Sequence, residues 1–132
     1  IPSNDDSRMY RYLILLLVLF VGPSWAHEWT PTYPKFTMSY VGGVQRANME
    51  LFNSRKDVRF YEIGVFDSEW NKVPFATESK VVQVKHLERK KVVVYVRDRD
   101  TERAEYVCSK SKMIIAGSNV ASIASRICSK FK

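Results

Sequence analysis

The sequence predicts an all-β domain, an antiparallel sandwich of about seven strands followed by a short C-terminal helix. Three observations predict it. Apolar and polar residues alternate in short runs that are rich in aromatic and β-branched side chains. Turn residues separate these runs about every ten residues, and no long stretch before residue 110 keeps a helical period. Strands of this number and spacing are typical of immunoglobulin-like sandwiches.

The domain is expected to begin with an extended arm over residues 27–36. Pro31 and Pro34 lack the backbone N–H that a strand ladder needs, and they favour polyproline-like backbone. The arm carries the aromatic residues Trp29, Tyr33 and Phe36. We expect the sandwich itself over residues 37–110 and a basic C-terminal segment over residues 111–132.

Two long strands are predicted in the first half of the sandwich. Residues 44–52 follow a turn signal at Gly42 and Gly43, and residues 58–66 follow a polar loop. In both runs alternate residues are apolar, which places one side of each strand in the core. The residues expected to face the core are Ala47, Met49, Leu51, Tyr61, Ile63 and Val65.

Shorter strands follow. Residues 73–75 contain a proline, which indicates an edge strand or a bulge. In residues 80–87 we expect Val82 and Val84 to point inward, and His86 has the same parity. The last predicted strands, joined by a wholly polar hairpin tip, are residues 92–96 and 104–109.

A helical stripe near the C-terminus predicts the short helix. Four apolar residues occupy positions i, i+3, i+4 and i+7 of this stripe: Val120, Ile123, Ala124 and Ile127. Ser118 is suited to cap the helix, because its hydroxyl can accept a free backbone N–H. Cys128 falls on the same stripe.

The two cysteines, Cys108 and Cys128, predict a disulfide in an oxidising compartment. The bridge would close a loop of about 20 residues, worth about 3 kcal/mol in the chain-entropy model. It would also tether the helix to the last strand. The alternative is two buried free thiols. A zinc site is disfavoured because neither cysteine has a flanking histidine.

The N-terminus predicts export. Residues 1–8 precede the first methionine and are treated as upstream sequence, and residues 9–26 have the organisation of a signal peptide. Arg11 provides the positive charge, residues 13–21 are an apolar run, and small residues precede the expected cut between Ala26 and His27. A transmembrane helix needs about 20 apolar residues, so this run is short for an anchor. Retention as an uncut anchor is the alternative; otherwise the protein is periplasmic or extracellular.

The net charge is +7, and the residues after Ala26 carry all of this excess. From Cys108 onward there are basic residues and no acidic one. This basic patch consists of Lys110, Lys112, Arg126, Lys130 and Lys132. It suggests an anionic surface or an acidic partner, although charge that serves only solubility is an alternative. Export argues against nucleic acid as the partner.

Enzyme motifs are absent from the sequence. It contains no Gly-rich phosphate loop, nucleophile elbow or HExxH motif, so we expect neither catalysis nor a cofactor. One alternative is copper binding. Cleavage would give His27 a free amine beside its own imidazole, a pair of nitrogen ligands that suits Cu(II), and His86 could complete the site.

The remaining function is binding of a protein partner. A partner strand could add to an exposed sheet edge through backbone hydrogen bonds alone. The candidate residues lie in the arm and in the proline-containing edge: Trp29, Tyr33, Phe36, Val73, Pro74 and Phe75. The alternative is that the arm aromatics cover the domain's own sheet.

Residues 73–109 resemble the second half of the N-terminal immunoglobulin-like domain of periplasmic pilus-assembly chaperones. The likeness lies in the proline-containing edge, the strand ending near Leu87, the VVVYVR strand and the final hairpin. The sequence holds one such domain, and no position matches the Arg and Lys with which those chaperones anchor their subunits. Through HEWTPTYPKF, MELFN and ASRICSK the chain also resembles small exported proteins of marine tailed phages. These resemblances imply a chaperone-like factor, or a component assembled on a virion or cell surface.

Overall fold

The computed structural model describes residues 3–20, 27–112 and 125–132. In this part of the chain, eight strands form two four-stranded antiparallel sheets, and two helices lie outside the sheets. The elements in chain order are α1 (Ser3–Phe20), β1 (Glu28–Thr30), β2 (Thr37–Met38), β3 (Val44–Phe52), β4 (Phe60–Phe66), β5 (Val81–Gln83), β6 (Arg89–Arg97), α2 (Asp98–Thr101), β7 (Tyr106–Lys112) and β8 (Arg126–Lys130).

The first sheet is built around β3. One edge of β3 pairs with β6 along its whole length, and the other edge pairs with β1 near Phe52 and with β2 near Gln45. Between β1 and β2 the arm crosses to the second sheet, where Thr32 accepts the N–H of Lys130 at 3.1 Å. Two residues later, Pro34 accepts the N–H of Lys132 at the same distance. The arm therefore joins both sheets.

The second sheet has the strand order β5-β4-β7-β8. The outer edge of β4 is shared, because β5 pairs with its first half and Val73 bonds to Val65 near its end (N···O 2.9 Å). Between these contacts the chain crosses to the first sheet, where Ala76 pairs with Tyr95. The proline-containing segment is thus a short edge contact that leaves the sheet at Pro74.

The core lies between the two sheets, and the predicted faces of β3 and β4 are confirmed. All six residues expected to face the core are at most 3% exposed. Val82 and Val84 are also buried, as predicted. The inward orientation of His86 is wrong, and this residue is exposed. The alternation stops because β5 ends early and a turn follows, in which Leu87 has a φ of 62°.

The strand order confirms the immunoglobulin-like sandwich. The polar segment after β6 differs from the predicted hairpin tip. It contains α2 and crosses between sheets, because β6 pairs with β3 whereas β7 pairs with β4 and β8.

The C-terminal segment differs from the predicted helix where it is described. Ile127 and Cys128 belong to β8, and residues 113–124 lie outside the described residues. In residues 126–130 the end residues Arg126 and Lys130 are exposed and the middle ones are partly or fully buried, and pairing with β7 stabilises this strand. The predicted disulfide is confirmed: Cys108 and Cys128 are opposite each other in the β7–β8 ladder, 4.0 Å apart at Cα. The bridge therefore joins two strands.

The N-terminal helix α1 includes residues upstream of Met9, which the sequence pattern left without structure, together with most of the apolar run. In the described part of the chain, neither helix combines the length and hydropathy needed to cross a bilayer. The expected cleavage site falls in residues 21–26, outside the described residues.

Candidate functional site

A groove of about 540 Å³ lies on the outer face of the second sheet. We call it the basic groove. The inward residues of β4 fill the core, which leaves Glu62, Gly64 and Phe66 on the outer face. The other lining side chains that matter below are Lys72, Pro74, Phe75, Lys80, Lys110 and Arg126.

Two of the predicted residue sets meet in this groove. The edge residues Val73, Pro74 and Phe75 line it together with Lys110 and Arg126 of the predicted basic patch. Three separate stretches of sequence contribute these residues. The β7–β8 register places Lys110 opposite Arg126, and the backbone bond of Val73 to Val65 holds the edge residues beside β4. The side chain of Val73 is 2% exposed and belongs to the core, so it is not available to a partner.

The other three residues of the basic patch lie at different places on the surface. Lys112 forms a salt bridge with Glu62 at the border of the groove (Nζ···Oε2 2.9 Å). Lys130 pairs with Glu105 at 3.3 Å, and Lys132 is exposed next to the arm. The basic residues after Cys108 therefore do not form one continuous site.

The electrostatic field in the basic groove is positive. Hydrogen bonding to Lys112 is the largest cause that lowers the pKa of Glu62, and the charges of Lys112, Lys110 and Lys72 lower it further. In the described part of the chain, four cations of the groove form no salt bridge: Lys72, Lys80, Lys110 and Arg126. Its one carboxylate is already paired, so the groove favours an anionic ligand.

Aromatic side chains flank one end of the groove. Trp70 stacks on Tyr106 with ring centroids 4.4 Å apart and planes 2° from parallel. The guanidinium of Arg126 lies 5.0 Å from the Trp70 ring, and the Phe66 ring lies 6.0 Å from it. Trp70 remains 46% exposed. Such a cluster offers an apolar surface and a cation in the same place.

The turn that presents Trp70 is held by Asp67. Its carboxylate accepts the backbone N–H groups of Glu69 and Asn71, each at 2.9 Å. Trp70 has a φ of 66°, in the left-handed region that disfavours bulky side chains. Strain of this kind is characteristic of functional sites.

Gly64 shapes the floor of the groove. A Cβ atom at this position would lie 2.9 Å from the Phe66 ring. The absence of a side chain therefore lets the Phe66 ring fold back over the sheet.

The sequence pattern missed several of these residues. Alternation along β4 places Phe66 on the outer face, but nothing in the sequence marks Trp70, Lys72 or Lys80 as its neighbours. A tryptophan within a polar turn is a signal that could have identified Trp70.

The arm aromatics mostly serve their own domain. Trp29 is 4% exposed, and its indole N–H donates to the Val107 carbonyl at 3.0 Å. Phe36 packs against the core and stacks on Phe131, with centroids 4.3 Å apart. Tyr33, in contrast, is 62% exposed. Trp29 and Phe36 therefore fit the alternative interpretation, in which the aromatic residues of the arm cover the domain's own sheet.

His27 lies inside the sandwich. Its Nε2 is 2.7 Å from the Ser109 hydroxyl, Nδ1 is 3.5 Å from that of Ser125, and the ring packs against Tyr61. Burial lowers the pKa of His27, and hydrogen bonding at Ser109 only opposes this shift. Because both nitrogens face hydroxyls and His86 lies on the surface, this geometry does not support a copper site. No group of three or more His, Cys, Asp or Glu side chains suited to a metal occurs among the described residues.

The distance between the Ser109 hydroxyl and His27 is in the range found between a serine nucleophile and the histidine that activates it. Ser109 is fully buried, however, so a substrate has no access to it. We assign this pair a structural role.

No protein-family model and no curated protein sequence matches this chain. Among solved structures, the chain is similar to the ASH / PapD-like domain of human CEP192 (PapD-like domain 7). The TM-score is 0.47 at 12% sequence identity, over 84% of this chain and 87% of that one. The immunoglobulin-like assignment rests on the strand order and register described above.

Proposed function

We propose that this protein is an exported, non-catalytic module that binds an acidic segment of a protein partner in the basic groove. The observation that carries the proposal is the composition of the groove. It combines four cations free of salt bridges within the described chain with apolar side chains from β4 and the proline-containing edge. A ligand that matches it carries carboxylates next to apolar side chains.

The two kinds of contact have different roles. Exposed ion pairs contribute only about 0.2–1 kcal/mol each, so the cations mainly guide association and select charge. Affinity comes from an apolar side chain packed on Phe66, Phe75 and Trp70, because aromatic anchors dominate most interfaces. A volume of about 540 Å³ is sufficient for a few side chains.

Export is supported by three features of the chain. The apolar run and the small residues before His27 fit a cleaved signal peptide. The Cys108–Cys128 disulfide fits an oxidising compartment. His27, the first residue after the expected cut, is buried in the domain, so cleavage there would leave the sandwich complete. The resemblance to pilus chaperones favours a chaperone-like role, and that to phage proteins favours assembly on a virion or cell surface.

Peptide titration tests the groove. A short N-acetylated peptide of alternating Glu and Leu should shift the NMR signals of Gly64, Phe66 and Lys110, whereas one of alternating Lys and Leu should not. Lys110→Glu should weaken binding of the Glu peptide, and Lys56→Glu, at an exposed lysine outside the groove lining, serves as the matched control. Equal binding of both peptides, or shifts confined to another face, would contradict the proposal.

Export is tested separately by mass spectrometry. The whole chain is expressed in a bacterium, and the periplasmic fraction should contain a protein that starts at His27 with its cysteines oxidised. Uncut protein in the membrane fraction would favour an anchor, and reduced protein in the cytoplasm would contradict export.

A further inference from the structure

The hairpin between β2 and β3 ends in an apolar tip, which we define as residues 38–43. Met38 is 89% exposed, Tyr40 98% and Val41 63%. Gly42 and Gly43 complete the tip, and each has open space where a side chain would lie. Single exposed apolar residues are ordinary, but three large ones within four positions indicate an interaction surface.

The tip is an ordered structure. The Ser39 hydroxyl accepts the N–H of Val41 at 3.2 Å and lies 2.6 Å from the carbonyl of Val44, to which it can donate. The Gly43 carbonyl accepts the N–H of Asp98 at 2.9 Å, and Gly43 has a φ of 78° that suits a glycine. These bonds hold the backbone in a form that keeps Tyr40 and Val41 in solvent.

Cations lie beside and behind the tip. The Arg46 guanidinium is 5.5 Å from the centre of the Tyr40 ring, and Arg97 pairs with Val44 at the base of the hairpin. Neither arginine forms a salt bridge with a described residue, and the buried Nε of Arg46 has no hydrogen-bond partner among them. Asp98, whose N–H bonds to Gly43, is exposed and adds one acidic side chain beside the tip. With Arg46 and Arg97 on the same hairpin base, these three side chains carry a net positive charge.

We propose that the tip inserts into an anionic lipid surface. A strand rises about 3.4 Å per residue, so Arg46 lies about 10 Å behind the Gly43 turn. Interfacial apolar segments enter a bilayer by about 5–10 Å. Tyr40 and Val41, which lie beyond the paired residues of β2 and β3, reach that depth. Met38 is opposite Gln45 and Arg97 is opposite Val44, so Met38, Arg46 and Arg97 lie at neighbouring levels of the hairpin, in the headgroup region. Long basic side chains at that level can extend to the phosphates. A tyrosine is also well suited to the boundary between headgroups and acyl chains.

This surface is separate from the basic groove and from α1. The groove belongs to the outer face of the second sheet, whereas the tip belongs to the first. His27, where the domain follows α1, lies near the Phe52 end of β3, and the tip is at the Val44 end. Lipid binding by the tip and peptide binding by the groove can therefore fail independently.

Hydrogen–deuterium exchange on the full chain tests the proposal locally. At the shortest labelling times, vesicles of phosphatidylcholine with phosphatidylglycerol should slow exchange in residues 37–44 by about tenfold. Vesicles of phosphatidylcholine alone should slow it much less, and added salt should reduce the effect. The double variant Tyr40→Ser/Val41→Ser should lose this protection. Tyr33→Ser, at an exposed tyrosine of the arm, is the matched control and should keep it.

The local measurement separates the tip from α1, which is apolar and can bind vesicles itself. Protection confined to residues 3–20 would overturn the proposal, and so would protection of residues 37–44 that survives the double variant. Protection of the tip by a protein, with none from either vesicle, would replace the lipid with a protein pocket.

Discussion

Replacing Trp70 with Asn separates the role of this residue in binding from its role in stability. Trp70 adopts a left-handed backbone conformation with a φ of 66°, and its ring stacks on Tyr106 and lies 5.0 Å from the Arg126 guanidinium. Asn tolerates that conformation and can keep the turn, but it provides no ring.

The energies nearly cancel in the folded protein. Loss of the stack on Tyr106 costs about 0.5–1.5 kcal/mol, and loss of the exposed contact with Arg126 costs about 0.5–1 kcal/mol. Relief of the left-handed strain returns about 1–2 kcal/mol. We therefore expect the free energy of unfolding to change by about 1 kcal/mol or less. An aromatic anchor is worth about 2 kcal/mol in binding, so affinity for the Glu–Leu peptide should fall about thirtyfold.

Urea unfolding and fluorescence anisotropy with the labelled peptide measure the two quantities. Leu87→Asn is the matched control, because Leu87 is the other exposed non-glycine residue with positive φ (62°) among the described residues and lies outside the groove lining. It should gain stability without a change in affinity. Unchanged affinity in Trp70→Asn would refute the assignment of Trp70 to the site. A loss of stability above about 3 kcal/mol would show that the strain argument is wrong.

Three further changes have defined outcomes. Gly64→Ala should push the Phe66 ring into the groove and weaken the Glu–Leu peptide severalfold by anisotropy, with little effect on urea unfolding. Burial lowers the pKa of His27 below its ordinary 6.5, so the unfolded chain takes up its proton first as the pH falls. Stability should therefore decline as the pH falls from about 6.5 to the lowered pKa. In a plot of the urea midpoint against pH, His27→Gln should flatten this part of the curve. A curve that the substitution leaves unaltered would exclude His27 as the cause of the decline. Replacing Cys108 and Cys128 together with alanine should cost about 3 kcal/mol in the same unfolding assay, and a loss near zero would mean that the bridge does not restrain the unfolded chain.

The sequence predicts the faces of the sandwich better than its edges. Alternation identified the buried sides of β3 and β4 because both strands are long and have one side in the core. β1 has only three residues, and pairing with β3 and burial of Trp29 define it as a strand. These are tertiary contacts that no local pattern contains.

The C-terminal segment shows a different limit. Its apolar residues fit a helical period up to Ile127, and no alternation in residues 126–130 indicates a strand. The ladder with β7 and the bridge to Cys108 determine the strand β8. Similarly, the sequence marks Lys110 and Arg126 as basic, but the β4–β7–β8 register and the crossing after Pro74 bring Lys72 and Lys80 beside them.

The crossing of the arm has a consequence for the order of folding. Thr32 and Pro34 find their second-sheet partners in Lys130 and Lys132, nearly a hundred positions later. A chain that emerges N-terminus first from a ribosome or a secretory pore cannot form these two hydrogen bonds until residues 130–132 have emerged. Such distant pairings also make folding slow. The arm therefore joins the two sheets only after β8 has emerged, and until then the second sheet lacks this contact with the start of the domain.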